Sequence, residues 1–223
     1  MPRLIYIHGF VEDPTIFDNL APLLPAESVL KLALQDEFAR WNPADDKSVT
    51  VASLATYLAQ THHIGPADVV LGHSMGGWIA AHLKAVAGCR AVLVSSYTDP
   101  QKVVAVTRNV AVLRFLVGMG LVQSRFFGQY ALKKYPFEES RALHRHLIER
   151  MLTLPRRYVY QQFRVLLAPS PTPPAPPDVR IHTRSDNVLR CPDEAFCETR
   201  GDHFNLVYYP QEVAAPILAL LRG

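Results

Sequence analysis

Apolar residues in this chain come in short runs, separated by stretches whose apolar positions recur at helical spacing. Residues 3–8 read as a strand, 14–24 has the spacing of a helix closed by Pro25, and 28–34 reads as a second strand. Ser48 is placed to cap a helix running through Leu58, and Gly65-Pro66 breaks the chain before the apolar run 67–71. A helix-like segment begins near Trp78 and stops at Gly88, and 91–96 forms the next strand. From 99 to about 170 the pattern is helical, broken at Gly118, Gly120, Gly128, Pro136 and Pro155. Six prolines within 169–177 make a stiff extended connector. Strand patterning then returns at 178–183 and briefly at 195–199, and a helix over 211–221 closes the chain.

Strands alternating with helices predict an α/β fold: a mostly parallel sheet of about six strands with helices on both faces and a helical insertion at 99–170. With 223 residues, 49% of them hydrophobic and 19% charged, the chain is sized for the core of one domain spanning 1–223. No internal repeat is visible. The longest apolar stretch, 103–122, contains Arg108 and Arg114, so no membrane span is expected. The first strand begins almost at Met1, which leaves no room for a removable signal peptide. Three cysteines, Cys89, Cys191 and Cys197, lack metal-ligand spacing, which fits reduced thiols and a cytoplasmic location better than a disulfide framework.

The net charge of +3 is unevenly distributed. Residues 98–170 hold twelve Lys or Arg against four Asp or Glu, a net of +8, and the remainder carries −5. Such a basic insertion either attracts an anionic partner or presents the wet faces of amphipathic helices. No stripe of basic residues interleaved with aromatics accompanies it, so nucleic acid is not an expected partner.

The chemistry concentrates at residues 71–77, Leu-Gly-His-Ser-Met-Gly-Gly, which join the 67–71 strand to the following helix. Ser74 sits at the apex of that turn. A serine hydroxyl becomes a useful nucleophile when a sharp turn lifts it out of the fold and sets it beside a base and backbone donors. Gly72 and Gly76 let the two sides of the turn approach. With the strand-to-glycine segment Leu4-Ile5-Tyr6-Ile7-His8-Gly9-Phe10, this motif resembles the α/β-hydrolase superfamily over nearly the whole chain, the segment from about 99 to 177 matching only as a variable insertion. The leading β-hairpin of fuller members has no counterpart here.

The resemblance implies a triad in the order nucleophile, acid, histidine. Asp186, in the polar turn after 178–183, takes the acid's place, and His203 lies in the loop after the last strand. Seventeen positions separate them, a shortened spacing; Asp99 is the substitute acid some members use, and Asp202, adjoining the histidine, is a poorer orienter. Among the other histidines, His8 is expected to brace the glycine turn, His73 to point away from the serine, His82 to pack, and His182 to lie within a strand. The oxyanion hole is expected from the backbone N–H groups of Phe10 and Met75. Trp78 and Phe204 adjoin these residues and are candidates for binding substrate.

These residues point to a serine esterase or thioesterase that acts on a small molecule through an acyl-enzyme. The same triad also serves lyases and C–C hydrolases, and a non-catalytic binding homologue is the third reading. No cofactor or metal is implied, and oligomeric state is not legible.

Overall fold

The computed structural model describes residues 1–105 and 107–222; Val106, within the expected insertion, and Gly223, at the end of the expected domain, lie outside the described residues. Six strands form a wholly parallel sheet: β1 (Arg3–Ile7), β2 (Ser28–Leu32), β3 (Val69–His73), β4 (Arg90–Val94), β5 (Val179–His182) and β6 (Cys197–Glu198), in the order β2-β1-β3-β4-β5-β6. β3 is buried throughout and β1 and β4 nearly so, as expected of parallel strands covered on both faces.

The helices are α1 (Leu34–Arg40), α2 (Val51–Thr61), α3 (Met75–Ala87), α4 (Val110–Gly118), α5 (Arg125–Lys134), α6 (Arg141–Thr153), α7 (Arg156–Leu167), α8 (Asn205–Tyr208) and α9 (Pro210–Arg222). α3 crosses β1, β3 and β4 with α2 against it, and α9 packs on β5. Four helices, α4 to α7, lie between β4 and β5 in the chain; α7 rests on α1, α2 and α3 and so ties this insertion to the sheet layer. Among the described residues no helix is long and apolar enough to cross a membrane.

Several local expectations need correction. Residues 14–24 form two short 3-10 turns, Pro14–Phe17 and Ala21–Leu23, rather than one helix. Pro22 has no N–H to donate, and its ring would collide with the carbonyl of Asp18 in a continuous α-helix. The 28–34 strand ends at Leu32, and Leu34 opens α1, a helix absent from the sequence reading. The helix expected to start at Ser48 is capped by Thr50 instead, whose hydroxyl accepts from Ser53 N–H while Ser53 Oγ accepts from Thr50 N–H. The 195–199 strand contracts to two exposed residues at the sheet edge.

Register fixes where the functional loops emerge. Ile7 lies opposite Gly72, and Val94 lies opposite both His73 and Ile181. The carboxyl ends of β1, β3 and β5 are therefore level, and the loops beginning at His8, Ser74 and Thr183 leave from one rim, the usual place for ligand sites in open α/β sheets.

Candidate active site

Ser74 occupies the turn between β3 and α3 with φ 52° and ψ −121°, a left-handed conformation that costs a non-glycine residue about 1–3 kcal/mol. Its surroundings hold it there. Ser74 N–H donates to the Val94 carbonyl at 3.1 Å, and Ser96 Oγ donates to the Ser74 carbonyl at 2.6 Å. A Cβ on Gly72 would collide with the Gly76 carbonyl, and one on Gly76 with the Ile7 carbonyl oxygen. Gly76→Ala is accordingly expected to destabilise the protein by more than ~3 kcal/mol or to prevent folding. Gly118→Ala, whose Cβ meets nothing within 4 Å at the end of α4, should be neutral or slightly stabilising. Thermal unfolding of the two variants checks both, and a stable Gly76→Ala protein would refute the packing argument.

The loop after β1 is held by its own polar groups and by the insertion. His8 donates through Nδ1 to the Gly9 carbonyl at 2.9 Å and accepts at Nε2 from Leu34 N–H at 3.1 Å, which assigns a neutral Nδ1–H tautomer; burial lowers its pKa accordingly. The expected bracing role agrees with these bonds. Val11, β-branched yet at φ 55°, donates its N–H to Gln162 Oε1 at 2.9 Å and accepts at its carbonyl from Arg150 Nε at 3.1 Å. Side chains of α7 and α6 thus fix the strained bend beside Phe10. The N–H groups of Phe10 and of Met75, at the first position of α3, have no hydrogen-bond partner among the described residues. Orphan N–H groups at a helix start suit a developing negative charge.

Opposite this loop, His203 Nδ1 donates to Asp186 Oδ2 at 2.8 Å, while Asp186 Oδ1 accepts from Val188 N–H at 2.8 Å and Leu189 N–H at 2.9 Å. Burial opposes ionisation of Asp186, but the charge and hydrogen bond of His203 outweigh it and lower the carboxyl's pKa. Burial likewise opposes the imidazolium of His203, and Asp186 outweighs it and raises that pKa. Asp99 accepts from Gln101 N–H at 2.9 Å and caps a turn elsewhere. Asp202 turns away from the imidazole to Ser140 and to Tyr135, whose hydroxyl lies at 3.0 Å. Ser74 Oγ and His203 Nε2 make no direct hydrogen bond among the described residues, yet both border one cavity of about 390 Å³. Phe10, Leu113, Leu116, Phe163 and Phe204 give that cavity largely apolar walls.

Trp78, expected near substrate, lies outside the cavity lining. Its indole Nε1 donates to the Val165 carbonyl at 3.0 Å and its ring stacks on Tyr97, so it joins α3 to α7 in the core. Phe204 does line the cavity, beside His203. Burial lowers the pKa of His82, packed edge-on against Trp78, to about 4. That of His182 is also about 4, with Nε2 3.9 Å from Asp186.

Sequence reasoning missed Glu12. Its buried carboxylate accepts from Gly9 N–H at 2.6 Å and meets His73 Nδ1 at 2.9 Å, while His73 Nε2 donates to the His203 carbonyl at 2.9 Å. His73 thus bridges the Glu12 carboxylate and the His203 carbonyl and clamps the β1 loop to the His203 loop. Burial alone would raise the pKa of Glu12, but the charge of His73 prevails and lowers it. Glu12, His73 and His203 offer ligand atoms within 4.8 Å of one another, the only such group among the described residues; hydrogen bonds already occupy both His73 nitrogens. The available sequence signal was an acid three residues after Gly9, directly behind the apolar pair Phe10-Val11.

Because Glu12 helps raise the pKa of His203, Glu12→Gln should lower it. For His203 as general base, the reading argued below, the acidic limb of a kcat/KM against pH profile is then expected to move to lower pH. An unmoved limb would show that Glu12 does not act on His203.

A family model described as the alpha/beta hydrolase family matches residues 4–215. The chain belongs to that family. Solved structures of similar fold include a hydrolase from Oleispira antarctica (TM-score 0.73, 10% identity, covering 100% of this chain and 92% of that one). The enol-lactonase from Burkholderia xenovorans LB400 aligns at TM-score 0.71 and 12% identity, with 100% and 92% of the chains covered. A thermophilic esterase from Thermogutta terrifontis aligns at TM-score 0.63 and 16% identity, with 100% and 90% covered. Identities this low establish the fold of this α/β hydrolase and nothing about its substrate. No match occurs among curated proteins.

Proposed function

We propose that this α/β hydrolase is a serine hydrolase that cleaves a small carboxylic ester or thioester through an acyl-enzyme. The carrying observation is the shared cavity: Ser74, held at a strained turn, and the imidazole of His203, anchored to Asp186 at 2.8 Å, open onto the same apolar space. With Nδ1–H donated to Asp186, Nε2 of His203 is left as the proton acceptor. It takes the proton from Ser74 Oγ as the oxygen attacks the carbonyl carbon. The negative charge formed on the carbonyl oxygen is received by Phe10 N–H and Met75 N–H. Collapse expels the alcohol or thiol, protonated by His203, and water activated by the same nitrogen releases the acid and restores Ser74.

In this reading α4 to α7 act as a cap over a single catalytic domain and shape its specificity. At about 390 Å³ the cavity falls within the range of small-molecule sites, roughly 300–1,000 Å³. None of the insertion's lysines or arginines lines it, so a neutral, apolar acyl or alcohol group is the favoured occupant. The esterase and enol-lactonase among the fold neighbours act on the same bond class and are consistent with this proposal. Mixing the protein with p-nitrophenyl butyrate should release a burst of nitrophenol stoichiometric with protein, and a fluorophosphonate should label Ser74. No burst and no label would overturn the assignment.

A further inference from the structure

Several large apolar side chains on α4, on α5 and in the turn between them are exposed. On α4, Phe115 and Met119 beyond its end are 63% and 62% exposed, with Val112 on the same side at 42%. Leu121, in the connection to α5, is 49% exposed; on α5, Phe126 and Tyr130, one turn apart, are 81% and 55% exposed. Neighbouring faces of these helices do other work, since Leu113, Leu116 and Phe127 line the cavity that holds Ser74. Exposed apolar residues grouped in this way mark an interaction surface.

The charge around them specifies the partner. Residues 100–137 contain six Lys or Arg and no Asp or Glu. Lys102 pairs with Asp193, Arg114 pairs with Asp46 and Arg108 donates to the carbonyls of Gln101 and Val103, which leaves Arg125, Lys133 and Lys134 exposed and without a carboxylate among the described residues. We propose that α4 and α5 dock this protein onto an anionic phospholipid surface, with Phe115, Met119 and Phe126 entering the acyl boundary and Arg125, Lys133 and Lys134 meeting lipid phosphates. Apolar side chains rimmed by cations are what interfacial helices use. A second copy of this chain fits less well, because it would bring the same uncompensated cations face to face.

Cosedimentation of the full chain with vesicles tests this, using phosphatidylcholine alone or mixed with phosphatidylglycerol. Binding is expected to the mixed vesicles, weakened by added salt, and to be far lower on phosphatidylcholine alone. Lys133→Gln with Lys134→Gln should reduce partitioning about 25-fold, roughly fivefold for each cation removed. Phe115→Ser with Phe126→Ser should reduce it at least about tenfold, leaving turnover of a soluble ester and the melting temperature unchanged, since neither residue lines the cavity. Equal binding to both vesicle types, binding to neither, or binding indifferent to both double variants would overturn the proposal. So would a dimer in sedimentation velocity that Phe115→Ser with Phe126→Ser converts to monomer. None of these readouts depends on which bond the enzyme cleaves.

Discussion

Ser74→Ala is expected to lower kcat for p-nitrophenyl ester hydrolysis by about 10⁴- to 10⁶-fold, to abolish the burst, and to leave the fold intact. The hydroxyl makes no hydrogen bond that the fold relies on; the Ser74 bonds that brace the turn run through its backbone N–H and carbonyl. Alanine tolerates the left-handed turn no better than serine, so the strain is unchanged. The residual rate should reflect only the N–H groups of Phe10 and Met75 and binding in the cavity. Turnover within about tenfold of the native enzyme would mean that another group, or water activated by His203, attacks the substrate.

Asp186→Asn should cost about 10³- to 10⁴-fold in kcat, and the structure supplies the reason for a loss this large. Oδ1 of Asp186 is held by the N–H groups of Val188 and Leu189, which an amide nitrogen cannot replace. The amide oxygen must keep that position, so the new NH₂ group faces Nδ1 of His203. The imidazole is then driven to accept at Nδ1 and to carry its proton on Nε2, where it can no longer receive one from Ser74. Measuring kcat with a soluble ester, together with imidazole nitrogen shifts by NMR, distinguishes this inversion from unfolding. A full rate with Nδ1 still protonated would remove Asp186 from the mechanism.

Glycine spacing and hydrophobic period made the central features legible. Gly72 and Gly76 announced the turn because no other residue lets β3, α3 and β1 approach so closely, and the unbroken apolar runs of β1, β3 and β4 announced strands covered on both faces. Elements whose residues are chosen by partners far along the chain were harder to read. Trp78 went to the core because Val165, 87 positions away, accepts its indole proton, and α1, which rests on α7, began where a strand pattern faded; Pro22, by contrast, split the 14–24 helix through a clash within its own turn.

By itself the amino-acid sequence determined that a serine would stand on a glycine-flanked turn between a buried strand and a helix, within a parallel α/β sheet; that a carboxylate and a histidine would follow in order came from the resemblance to α/β hydrolases and not from the pattern. The turn and the sheet depend on local sterics and on side-chain period, which neighbouring residues carry among themselves. Only the tertiary structure decided that Asp186 rather than Asp99 or Asp202 meets the imidazole, that Glu12 and His73 join the two loops, and that the insertion's cations face away from an apolar cavity. These depend on which strand ends are level at one rim and which helix faces remain unpacked, quantities set by contacts between residues tens to more than a hundred positions apart.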